Sequence, residues 1–159
     1  MVQRGIRFER EIVESSVVPG VILVKVPVGY SSSRRFAGGG SVDFLGVIGG
    51  VPVAVEAKSC RTARFSLRRI SQKQFNFLKK WASCGGCSVI FLRYGMRDIR
   101  LFVIPFKVLE SWIVSGLKSV GVNELRHLSF IPRVDGKWDM GRLVNIVRRL
   151  ANESEGSER

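Results

Sequence analysis

Apolar and polar positions fall along this chain in blocks whose periods define its elements. Residues 4–16 set Ile6, Ile12 and Val13 among Arg7, Glu9, Arg10, Glu11 and Glu14, which predicts an amphipathic helix. Residues 21–27 are apolar and β-rich and predict a strand. The stretch SVDFLGVIGGVPVAVEAKS holds two such segments around Gly49-Gly50, so a hairpin of 42–48 and 51–58 is expected. A helix over 71–82 follows, with Ser71 as its N-cap, Phe75, Leu78 and Trp81 on one face, and Gly85-Gly86 at its end. Strands are expected over 88–93 and 99–104, then a helix that Pro105 opens. Residues 117–136 show no clear period, and 140–150 read as a short final helix. The order α-β-β-β-α-β-β-α predicts an α/β fold with a mixed central sheet flanked by helices. One domain over residues 3–150 is expected, with 151–159 a flexible charged tail.

Composition leaves that outline unchanged but narrows the partner. The 159 residues are 45% hydrophobic and 25% charged, ordinary for one globular domain. Twenty-six Lys and Arg against 13 Asp and Glu give a net charge of +13, which is not ordinary. Arg dominates, and its planar fork suits phosphate. A polyanion, most simply nucleic acid, is the expected partner, with an anionic membrane surface the weaker alternative. The apolar run at 17–28 is interrupted by Pro19, Gly20, Lys25 and Pro27 and is too short to span a bilayer. The first ten residues have no apolar core of the signal-peptide kind. Three cysteines argue against a disulfide framework and for a reducing, intracellular compartment.

The hairpin carries the chemistry. A two-residue loop at 49–50 pairs Ile48 with Val51, so paired numbers sum to 99 and Asp43 falls opposite Glu56. Lys58 lies two residues beyond Glu56 and shares its face. Two carboxylates and an ammonium on one patch can hold Mg²⁺ and orient a water. Alone the pattern is weak, since strand ends often carry an acid and a lysine. Val51-Pro52-Val53-Ala54-Val55 strengthens it, because a strand buried on both faces must give a terminal Glu and Lys partners or a metal. Arginines also cluster nearby in sequence, at Arg34, Arg35, Arg61, Arg64, Arg68 and Arg69.

The Asp…Glu-x-Lys hairpin resembles the core of the PD-(D/E)XK nucleases. RGIRFERE near the N-terminus resembles the first helix of Holliday junction resolvases of the RecU and archaeal Hjc types. The run FSLRRISQKQFNFLKKWASCGGCSVIFLRYG resembles the RecU segment that follows the hairpin, with Gln74 at the position of a family Gln. The likeness covers roughly residues 3–110, with a weaker echo at SFIPRVDGK. It departs from RecU in the short 29–40 loop, nearer the Hjc plan, and in Ser41-Val42 ahead of the Asp, where RecU has a Thr.

This resemblance implies a restriction-endonuclease-like core and a metal-dependent endodeoxyribonuclease that resolves four-way junctions by paired symmetric nicks. Asp43, Glu56 and the Ala57 carbonyl would ligate Mg²⁺, with Mn²⁺ as a substitute. Glu9 would complete the metal environment directly or through water. Lys58 would position the attacking water, Gln74 would join the site, and the products would carry a 5′-phosphate and a 3′-hydroxyl. Arg4, Arg7, Arg10, Arg34, Arg35, Arg61, Arg64, Arg68 and Arg69 are candidate backbone contacts, Ser41 a hydroxyl near the scissile phosphate, and Phe36 a base-stacking wedge. Two cuts across a symmetric branch require two sites and so a homodimer. A repair or restriction nuclease of the same superfamily and a non-catalytic basic DNA-binding module are the competing readings. Cys84 and Cys87 read as small residues of a helix-to-strand turn, because a zinc site would need Cys60 and the lone His127 as well.

Overall fold

The computed structural model describes residues 2–27 and 41–157, and side chains from Gly5 onward. Arg34, Arg35, Phe36 and the side chain of Arg4 lie outside the described residues. Helix α1 (Val2–Ser15) leads into β1 (Val21–Lys25), β2 (Phe44–Ile48) and β3 (Val51–Cys60). After β4 (Phe65–Ser66) and a 3-10 turn at Leu67–Arg69 come α2 (Gln72–Ser83), β5 (Cys87–Tyr94), β6 (Arg100–Pro105) and α3 (Phe106–Val114). Short pieces follow: β7 (Ser119–Val120), α4 (Val122–Leu125), β8 (Phe130–Ile131), β9 (Arg133–Val134) and β10 (Lys137–Trp138). Helix α5 (Met140–Gly156) closes the chain.

The six-stranded sheet runs β1-β2-β3-β5-β6-β8, with β3 and β5 parallel and the other neighbours antiparallel. The hairpin register is Ile48 to Val51 through Phe44 to Val55, so the sum of 99 holds. Both turn residues take positive φ, 58° at Gly49 and 83° at Gly50, which glycine adopts without a Cβ clash. Gly46 is also obligatory, since a Cβ there would sit 1.8 Å from the Ile22 carbonyl oxygen on β1.

Two cores cover the sheet. Phe44, Ile48, Val53, Val55, Val89 and Phe91 pack with α1 and α5 on one face. Ala54, Ile90, Leu92 and Ile104 pack with Leu78 of α2 and Leu109 of α3 on the other. Val53, Ala54, Val55 and Glu56 are all buried, as expected of a strand covered on both sides.

Several expectations shift. The buried face of α1 is Phe8, Ile12 and Ser15, at i, i+4 and i+7, whereas Ile6 and Val13 are exposed. The first strand ends at Lys25, two residues early; Val26 still donates its N–H to the Asp43 carbonyl in the same register, and Pro27 has no N–H to carry the ladder on. Helix α5 continues through 151–156, where a tail was expected, since small and acidic residues extend a helix already nucleated by the buried Leu143, Ile146 and Val147. The aperiodic stretch 117–136 contains short elements that tie down the 59–69 connection, as where Phe65 pairs with Val120.

Candidate active site

The sheet delivers Asp43 and Glu56 to one face. Asp43 precedes β2, its N–H bonded to the Val55 carbonyl at 3.1 Å, and Oδ2 accepts the Ala57 N–H at 2.8 Å. Glu56 is 2% exposed on β3. Its Oε1 receives Lys58 Nζ at 3.0 Å and Gln74 Nε2 at 2.7 Å. Its Oε2 is buried without a hydrogen-bond partner. One oxygen is therefore committed to the protein and the other is unspent.

Gln74 has two duties. It closes the capping box at the start of α2, where Ser71 Oγ accepts the Gln74 N–H at 3.1 Å and Gln74 Oε1 accepts the Ser71 N–H at 2.9 Å. The opposite end of the same amide reaches Glu56. A cap therefore fixes a rotamer in the site.

Charge is crowded here. Burial, and then the Asp43 carboxylate, push Glu56 up from its ordinary 4.5 to about 7, against the pull of Lys58. Burial likewise raises Asp43, and Glu9 adds to the rise, while the Ala57 N–H and Lys58 oppose it. Glu9 acts on Asp43 through its charge, while its carboxylate is ion-paired to Lys25 on β1. Among the described residues no group of three or more His, Cys, Asp or Glu side chains could hold a metal ion. An orphaned buried carboxylate oxygen beside a repelling carboxylate is a donor set that a divalent cation suits.

The arginines divide. Arg61 and Arg68 are exposed, as are Arg7 and Arg10. Arg64 is occupied by Ser119 and Glu124, and Arg69 by the Ser59 carbonyl and the Phe65 ring. Ser41 lies two residues before Asp43 and is half-buried. Sequence reasoning missed Lys25, the partner of Glu9, and two arginines, Arg93 and Arg133, which meet Glu11. The continuous apolar run of β5 could have flagged Arg93, whose strand buries every residue from Ser88 to Arg93. Cys84 caps α2 and Cys87 opens β5, both as free thiols, with burial raising Cys87 to about 11.

A mixed sheet with an Asp facing a Glu-x-Lys strand is the arrangement of the PD-(D/E)XK nuclease class. Within it, the model of the RecU family, described as recombination protein U, matches residues 27–140. The chain belongs to that family, one of Holliday junction resolvases. Its fold is similar to that of Hjc from Archaeoglobus fulgidus, described as a Holliday junction resolvase from an archaeal hyperthermophile. The TM-score is 0.55 at 18% identity, over 84% of this chain and 97% of that one. No curated protein matches the chain. No helix among the described residues is long and apolar enough to cross a membrane.

Proposed function

We propose that the protein acts inside the cell as a metal-dependent endodeoxyribonuclease that resolves four-way DNA junctions by paired nicks. The observation that carries this reading is the buried Asp43–Glu56 pair with Lys58 at 3.0 Å. Asp43, Glu56 and the Ala57 carbonyl would hold the ion, Mg²⁺ or Mn²⁺, with Glu9 joining through water. When bound, the ion supplies Lewis-acid polarisation of the scissile phosphate. Lys58 then has a Glu56-anchored ammonium with which to hold the attacking water and to offset charge on the pentavalent phosphorus. Gln74, by donating to Glu56 Oε1, holds the orientation of the whole carboxylate.

Dimerisation belongs to the same reading, because one chain offers one such site and resolution needs two. Ile22 and Val47 face each other across β1 and β2, and with Val24 they are 64%, 41% and 61% exposed. That apolar face, on the edge strand next to the hairpin, suits a second copy of the chain.

The test is incubation with an immobile four-way junction and matched linear duplexes, with Mg²⁺ or EDTA, alongside Asp43→Asn. Paired nicks in the junction alone, dependent on metal and lost in the variant, are expected. Tight junction binding without cleavage under any metal would make the chain a binding module and the hairpin carboxylates structural.

A further inference from the structure

A second charged cluster lies on the other face of the sheet. On α1, Phe8 and Ile12 point to the sheet, so Glu9 and Glu11 flank them on opposite sides. Glu9 turns to Lys25 on β1; Glu11 turns to β5 and β9. There Glu11 meets Arg7 at 3.7 Å, Arg93 at 3.5 Å and Arg133 at 3.9 Å. Arg61 is near enough to act on Arg93 through its charge. Three guanidiniums thus share one carboxylate.

Structural pairing does not account for this group. The Arg93 side chain is 11% exposed, and its Nε has no hydrogen-bond partner. Glu11 Oε2, the atom 3.5 Å from that Nε, is likewise buried and forms no hydrogen bond. A buried guanidinium and carboxylate with well-formed hydrogen bonds would be a closed pair; these two touch loosely. Burial, with Arg133, Arg61 and Arg7 around it, disfavours the charge on Arg93, and Glu11 only partly compensates. Arg133, by contrast, is posed by the Gly136 carbonyl and the Trp138 ring, and Arg7 reaches up from a mostly exposed position. Excess positive charge, held in place and under-bonded, is a seat for an anion that brings several acceptor oxygens.

The position says which anion. Arg93 pairs with Ser59, one step beyond the pairing of Lys58 with Leu92. Arg93 shares the α1 face with Val89 and Phe91, while Glu56 and Lys58 point to the α2 face. The same end of β3 and β5 therefore carries the cleavage groups on one side and the arginine cluster on the other. We propose that Arg7, Arg93 and Arg133, set by Glu11, form a seat for a DNA backbone phosphate other than the scissile one, positioning the branched substrate on the rim of the sheet. This rests on the reading of the chain as a junction resolvase. The arginines are positioning residues and Glu11 is their internal counter-charge.

The experiment is equilibrium binding of the full chain to a four-way junction and to linear duplex in EDTA, across a salt series, with melting temperatures for each variant. Arg133→Gln and Arg93→Met should weaken binding about tenfold and each flatten the log K against log salt slope by roughly 0.7 to 0.9. Glu11→Gln should tighten binding, since it removes the competitor for the seat. Lys107→Gln and Glu110→Gln, on α3 toward the far end of β5, are the charge-matched controls. Slopes and affinities equal to those controls, with lowered melting temperatures, would overturn the seat and leave a structural ion cluster. If Arg133→Gln flattens the slope on linear duplex while the wild-type chain shows no junction preference, the phosphate seat stands and the resolvase reading falls.

Discussion

Gln74 Nε2 donates to Glu56 Oε1 at 2.7 Å while the other end of the same amide caps α2. Helix nucleation and site geometry are thereby joined in one side chain, and they can be separated by substitution. Ser71→Ala removes the cap but leaves the bond to Glu56, so it should cost about 1 kcal/mol of stability with near-normal cleavage. Gln74→Ala should cost a similar stability and reduce cleavage about 10- to 100-fold. Denaturant melts paired with junction cleavage rates check both.

The pH dependence of the metal-free protein follows from the same pair. Unfolded Glu56 titrates near its ordinary 4.5, whereas the folded group holds its proton up to about 7. Between those values the native state binds more protons, so stability falls as pH rises through the window. Asp43, also raised, acts in the same direction. Melting temperature in EDTA should decline from about pH 5 to about pH 8, and Glu56→Gln should flatten the decline.

Asp43→Asn and Glu56→Gln should stabilise the metal-free protein at alkaline pH while abolishing cleavage, since each removes a buried, repelling charge. Mg²⁺ should raise the melting temperature of the wild-type chain and not that of either variant. A wild-type chain that cuts at full rate in EDTA would remove the ion from the account.

Gly46→Ala should destabilise by at least ~2 kcal/mol, because its Cβ meets the backbone of Ile22 rather than a movable side chain. Hydrogen exchange should show the loss first in β1.

If the exposed apolar face of β1 seats a second copy, as proposed, Ile22→Lys should leave the fold intact and shift the chain from dimer to monomer. Light scattering after size exclusion reads the mass, and nicks that appear singly rather than in pairs would accompany the loss.

The hairpin was legible because its turn is local: Gly49-Gly50 fixed the register that sets Asp43 against Glu56, and the structure keeps it. The capped helix at Ser71 was legible for the same reason. The buried face of α1 was not, because Ile6, Phe8, Ile12 and Val13 permit more than one stripe, and only packing on β3 and β10 selects Phe8 and Ile12. Glu11 and Glu9 look alike in sequence; their different partners, Arg93 and Lys25, come from distant strands.

Helix α1 thus behaves as an axle. Phe8 and Ile12 are its bearing against the sheet, and Glu9 and Glu11 are two spokes that end on opposite sides. Turning the axle by a few degrees would move the field at Asp43 and the grip on Arg93 together. Resizing Phe8 or Ile12 would therefore detune catalysis and substrate seating in concert, from a place that touches neither DNA nor metal.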